Sequence, residues 1–168
     1  MAHPPSDVRG LRKLSRGRLS HKNNIMPYKY LDDIATADVA FEAWGVTVEE
    51  MLIAAADATM NVMVADLNTI AAKECRGISL KEESVEMLLF QLLQELIYYK
   101  DAQQLLLRIK EVDMGNKNDQ ILLRSQGWGE LIDSGKHDLT VDVKAVTLHQ
   151  FKVEQTERGW RAQVILDI

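Results

Sequence analysis

The chain has a single cysteine, Cys75, in 168 residues. A lone thiol excludes an internal disulfide framework and a cysteine-rich zinc site, and it points to a reducing compartment, the cytoplasm. No general base stands near Cys75 in the sequence, so it reads as an inert thiol. No apolar run approaches the roughly 18 residues that a membrane span needs. The basic N-terminus has no apolar stretch behind it, which excludes a secretory signal. A phosphate-binding glycine loop is also missing, as is any pairing of a nucleophile with a base. What remains is an ordinary globular balance, 46% hydrophobic and 27% charged, long enough for one domain with a sizeable core.

The net charge of −5 is unevenly spread. Residues 1–25 carry Arg9, Arg12, Lys13, Arg16, Arg18 and Lys22 against Asp7, a local charge of +5 that leaves −10 for the rest. With Pro4, Pro5 and only isolated leucines, this segment cannot bury enough surface to offset its ordering entropy. We expect a disordered basic extension over 1–25 and a folded domain over 26–168, opened by Met26-Pro27. The extension reads either as an arm for RNA or an acidic partner, or as an addition without a role in the domain. The acidic body argues against strong direct binding of nucleic acid, which requires phosphate neutralisation.

Period-two alternation marks Val39, Phe41 and Ala43 against Ala40, Glu42 and Trp44 as a strand ending at Gly45. Thr47-Val48-Glu49-Glu50 is a capping box for a helix running to about Val64, with Met51, Met60 and Met63 as core filler. A strand of vague ends lies within Ala72–Leu80. Ser84 caps a second helix ending near Lys100-Asp101, whose wide apolar arc (Val85, Leu88, Leu89, Leu92, Leu96, Ile97) marks it as the more buried of the two. Strands follow at Leu105–Val112 and Ile121–Trp128, joined by turn residues 115–119. Gly127-Trp128-Gly129 and Gly135 suggest an irregular connection. A long strand over Val141–Glu154 then turns at Glu157-Arg158 into a closing strand, Trp160–Ile168. The order β-α-β-α followed by hairpins predicts an α+β fold, two helices on a mostly antiparallel sheet.

If the last hairpin turns at Glu157-Arg158, Phe151 pairs with Val164 and Leu148 with Asp167; a one-residue shift puts His149 there instead. Asp167 and the α-carboxylate of Ile168 then share one strand end, where like charges repel unless a cation joins them. Hard oxygen donors suit Ca²⁺, Mg²⁺ or Mn²⁺ and not Zn²⁺. Asp32, Asp33, Asp38 and Asp142 are all candidates for a further carboxylate; otherwise Asp167 is simply a solvated chain end.

Five motifs in order, Thr36-Ala37-Asp38-Val39, Ala43-Trp44-Gly45, Gly127-Trp128-Gly129-Glu130, Val143-Lys144-Ala145-Val146-Thr147-Leu148-His149 and Val164-Ile165-Leu166-Asp167-Ile168, resemble the archease family from about Tyr28 to the last residue. The resemblance implies an accessory protein and not an enzyme: an activator of the GTP-dependent RtcB-type RNA ligase, promoting its guanylylation and repeated turnover in tRNA splicing or RNA repair. It implies a divalent cation, calcium foremost, held by Asp38 and Asp167 with the carboxylate of Ile168, and it makes Lys144 a candidate functional residue. His149 and Asp33 are candidate neighbours of that site. The family pattern LDHTADV appears here as Leu31-Asp32-Asp33-Ile34-Ala35-Thr36-Ala37-Asp38-Val39, without the histidine and two residues longer. Two other functions stand beside ligase activation: a chaperone-like modulator of an RNA-modifying enzyme such as a tRNA methyltransferase, and a stand-alone metal-dependent hydrolase.

Overall fold

The computed structural model describes residues 26–32 and 38–168. The basic N-terminal stretch and Asp33 lie outside the described residues. Seven strands and two helices follow in the order β1 (Tyr28–Leu31), β2 (Asp38–Gly45), α1 (Val48–Met63), β3 (Glu74–Glu82), α2 (Val85–Gln103), β4 (Leu105–Lys117), β5 (Gln120–Leu131), β6 (Ala145–Thr156) and β7 (Gly159–Asp167), with one 3₁₀ turn at Leu67–Thr69. The strands form two sheets, β1-β2-β7-β6 and β3-β5-β4, and every pairing is antiparallel. The α+β class is as the sequence implies, but the single sheet is divided in two.

Both helices sit against both sheets. α1 packs on β2 and β7 of one sheet and β4 of the other, while α2 reaches β3 and β4 as well as β6. This placement explains why α1, not α2, is the more deeply buried helix. Its Met51, Leu52, Ala54, Ala55, Ala56, Ala58, Thr59, Met60, Val62 and Met63 are all buried, so its apolar surface extends beyond the stripe visible in the sequence. The alanines allow strands to approach on several sides. Thr59, fully buried, satisfies its hydroxyl on Ala55 O at 2.9 Å. The helix starts where the capping box places it: Thr47 Oγ1 accepts from Glu50 N–H at 3.1 Å, and Glu50 Oε2 reaches back to Val46 N–H at 2.8 Å.

The β4–β5 hairpin is longer than the turn residues suggest. Its ladder continues to Lys117↔Gln120, and only Asn118 and Asp119 take positive φ, 51° and 61°, as a two-residue turn of the primed type requires. Gly127-Trp128-Gly129 is not an irregular connection. It lies within β5, the central strand, paired to β3 and β4 at once.

The irregular connection is instead 132–144, tied down at intervals. Ile132 N–H donates to Gln104 O at 2.8 Å, Ala65 N–H to Asp138 O at 2.9 Å and Thr140 N–H to Met63 O at 2.9 Å. Lys100, buried at the end of α2, uses its ammonium on Val143 O at 2.8 Å, on Asp101 at 2.8 Å and on Asp142. Burial opposes its charge, but the Asp101 and Asp142 carboxylates outweigh that and raise its pKa. The strand predicted from Val141 therefore begins only at Ala145. Residues 142–143 serve the helix end first.

Candidate functional site

β7 lies between β2 and β6, so each of its residues has two neighbours. At its end the row reads Asp38↔Asp167↔Ala145. Residues directly opposite on antiparallel strands share a face, with Cβ atoms about 4.5–5.5 Å apart. The alternation assigns that face: Val39, Leu166 and Val146 pack toward the core, so Asp38, Asp167 and Ala145 lie on the other side. Two sequence-predicted carboxylates, 129 positions apart in the chain, thus stand opposite one another by register. Both are partly exposed, and none of the ion pairs among the described residues involves either of them.

The other candidates fall differently. Lys144 is exposed, and its backbone N–H donates to Asp167 O at 2.8 Å, which docks the start of β6 against the end of β7. Ile168 is partly buried and packs against the core. Asp142 is engaged by Lys100 and so does not join the pair. Asp32 is exposed in the turn after β1. Among the described residues no group of three or more His, Cys, Asp or Glu side chains could hold a metal ion.

His149 does not face Asp167, and neither does Leu148. The register expected from the turn holds only from Thr156↔Gly159 to Lys152↔Gln163; beyond a bulge it resumes at Thr147↔Ile165, so Ala145 takes the place opposite Asp167. Residues 148–151 of β6 oppose Val164 alone. The bulge keeps Phe151 in the core, edge-on to Phe90 at 5.8 Å. It also turns Leu148, His149 and Gln150 out to solvent, with Gln150 at φ 53°. Burial of Phe151 overrides a continuous ladder.

A second charged cluster escaped the sequence reading. Glu130, at the end of the glycine-rich part of β5, is almost fully buried. Its carboxylate accepts from Ala71 N–H at 3.0 Å and His137 Nε2 at 2.9 Å, pairs with Lys73 at 3.3 Å, and bonds Lys136. His137 Nδ1 accepts from Asp133 N–H at 3.0 Å, which leaves the ring proton on Nε2, facing Glu130. Lys136 above all, then the Ala71 amide, hold the Glu130 carboxyl well below the usual range against the opposing effect of burial. Stability linked to a depressed carboxyl is complete above its unfolded range, near pH 4.5, and lost as pH falls through the folded pKa. The acid limb of stability, followed by urea melts from pH 6 to 2, is expected to flatten in Glu130→Gln, with lower stability at pH 6. An unchanged limb would remove Glu130 from the account.

The family model for the Archease protein family (MTH1598/TM1083) matches residues 28–168. The chain belongs to the archease family. Protein archease of Methanosarcina barkeri is 37% identical over 142 residues, 84% of this chain and 95% of that protein. The archease of Pyrococcus abyssi is 34% identical over 134 residues, 79% and 94% of the two chains. Among solved structures, Methanobacterium thermoautotrophicum protein 1598 aligns with a TM-score of 0.75 at 32% identity, covering 86% of this chain and all of that one. An archease of Thermotoga maritima, described as a possible chaperone, aligns with a TM-score of 0.53 at 18% identity, covering 82% and 97%, and supports the fold alone. Within the archease domain no helix of the described residues is long and apolar enough to cross a membrane.

Proposed function

We propose that this chain is an accessory activator of a GTP-dependent RtcB-type RNA ligase, acting through a divalent cation held by Asp38 and Asp167. The observation that carries the reading is the cross-strand placement of Asp38 and Asp167. Two like charges directly opposite each other destabilise a sheet, so a pair that no cationic side chain among the described residues joins fits a bound ion. The donors are all hard oxygens, suited to Ca²⁺, with Mg²⁺ and Mn²⁺ as alternatives. When bound, the ion would supply a positive centre for phosphate oxygens at the partner's active site. The chain's own contribution is positional. The β2–β7 ladder holds the two carboxylates in register, and the Lys144–Asp167 backbone bond fixes the strand end beneath them. Lys144, exposed beside the pair, is available to the partner. A protein partner, and not an RNA held directly, suits the acidic body.

Guanylylation of the partner ligase by GTP, measured with and without this protein, tests the reading. Stimulation is expected, and a chelator followed by added calcium should remove and restore it. A ligase whose guanylylation and turnover are unchanged by this protein would overturn the proposal.

A further inference from the structure

Thr147 Oγ1 is buried and has no hydrogen-bond partner, the one such side-chain atom among the described residues. Buried hydroxyls are almost always satisfied, and an orphan marks the place of a water, an ion or a ligand. Thr147 pairs with Ile165 of β7, which in turn pairs with Ala40 of β2. It therefore stands two residues along β6 from Ala145 and on the same face as Asp38 and Asp167. Its own row is apolar, since Ile165 and Ala40 are almost fully buried. Of the two β7 residues that flank Ile165 on this face, Gln163 is committed to Gln150 O at 3.1 Å. The other is Asp167. Residues diagonal across a ladder are about 7–8 Å apart, too far for a direct hydrogen bond between short side chains and suited to one intervening oxygen.

We infer that Thr147 is a positioning residue of the cation site, its hydroxyl holding a water molecule of the ion's hydration shell beside Asp167. The inference rests on the cation reading above. It extends that site from the end of the sheet to the next row inward, and it assigns a role to the threonine of the Val143–His149 motif. Groups of this kind hold the donors around a metal in place, and their loss costs about 10–100-fold in affinity.

Thr147→Val replaces the hydroxyl by a methyl of the same shape, and Thr147→Ser retains it. Titration of the full-length chain with calcium chloride alone, by calorimetry, is expected to show binding weakened about tenfold in Thr147→Val and close to wild type in Thr147→Ser. Thermal melts in EDTA should show Thr147→Val folded and at least as stable as wild type, because it carries no orphan hydroxyl. Wild-type calcium affinity in Thr147→Val would overturn the role of Thr147 and leave the cation site standing. Absence of calcium binding by the wild type would overturn both.

Discussion

Gly129→Ala is expected to destabilise the protein by about 4 kcal/mol or more, enough to consume much of the roughly 5–15 kcal/mol available to a domain. A Cβ built on Gly129 would lie 1.6 Å from Leu106 O and 2.7 Å from Leu106 C, both backbone atoms of the neighbouring strand. No rotamer change relieves a clash with a carbonyl. Either β4 moves away from β5 or the central ladder breaks, and β4 also carries buried Leu105, Leu106 and Leu107 beneath the helices. Gly127→Ala is the internal control. Its Cβ would meet Leu107 side-chain atoms at 3.0 and 3.3 Å, contacts that a small side-chain adjustment relieves, so a loss of about 1 kcal/mol is expected. Urea unfolding of the two variants should separate them clearly, and equal stability would refute the backbone argument.

The same glycines show where sequence reading stops. Gly, Trp and Gly in succession look like punctuation because glycine is usually spent on turns. Here they serve a close approach between strands, which depends on a neighbour that lies some twenty positions away and leaves no local signal. Alanines of α1 show a related difficulty: small side chains permit close packing against a sheet, but that strands of two sheets enclose the helix leaves no local signal. Local signals fared better. The Thr47 and Ser84 caps both appear, with Glu50 N–H on Thr47 and Met87 N–H on Ser84. The candidate site was legible at the level of residue type, since Asp38 and Asp167 meet as the family resemblance implies. The register behind that meeting was not. It depends on a three-residue bulge whose origin is the burial of Phe151 against Phe90, a tertiary contact. Glu130 and Lys100 show the remaining limit, because a buried charge is recognisable only once its partners are in place.

Asp38→Asn is expected to return ligase guanylylation to its unstimulated level while leaving the fold intact. The two consequences separate because Asp38 occupies the end of a strand. Its side chain lies on the face away from the core, whereas Phe41 and Ala43 of the same strand are fully buried and carry the packing. Removing one charge of a directly opposed like pair should stabilise the chelated protein slightly, by about 0.5 kcal/mol. The rise in thermal midpoint on adding calcium, which measures preferential binding to the folded state, should disappear. Asp167→Asn should behave alike, since each aspartate is half of the same row. Asp38→Lys sharpens the test: it turns the repulsion into an ion pair, stabilising the chelated protein by up to about 1 kcal/mol, and still abolishes stimulation. Stability and activity moving in opposite directions is what a charge pair kept for a ligand requires. An Asp38→Lys protein that activates the ligase as well as wild type would show that the pair is only a strand end.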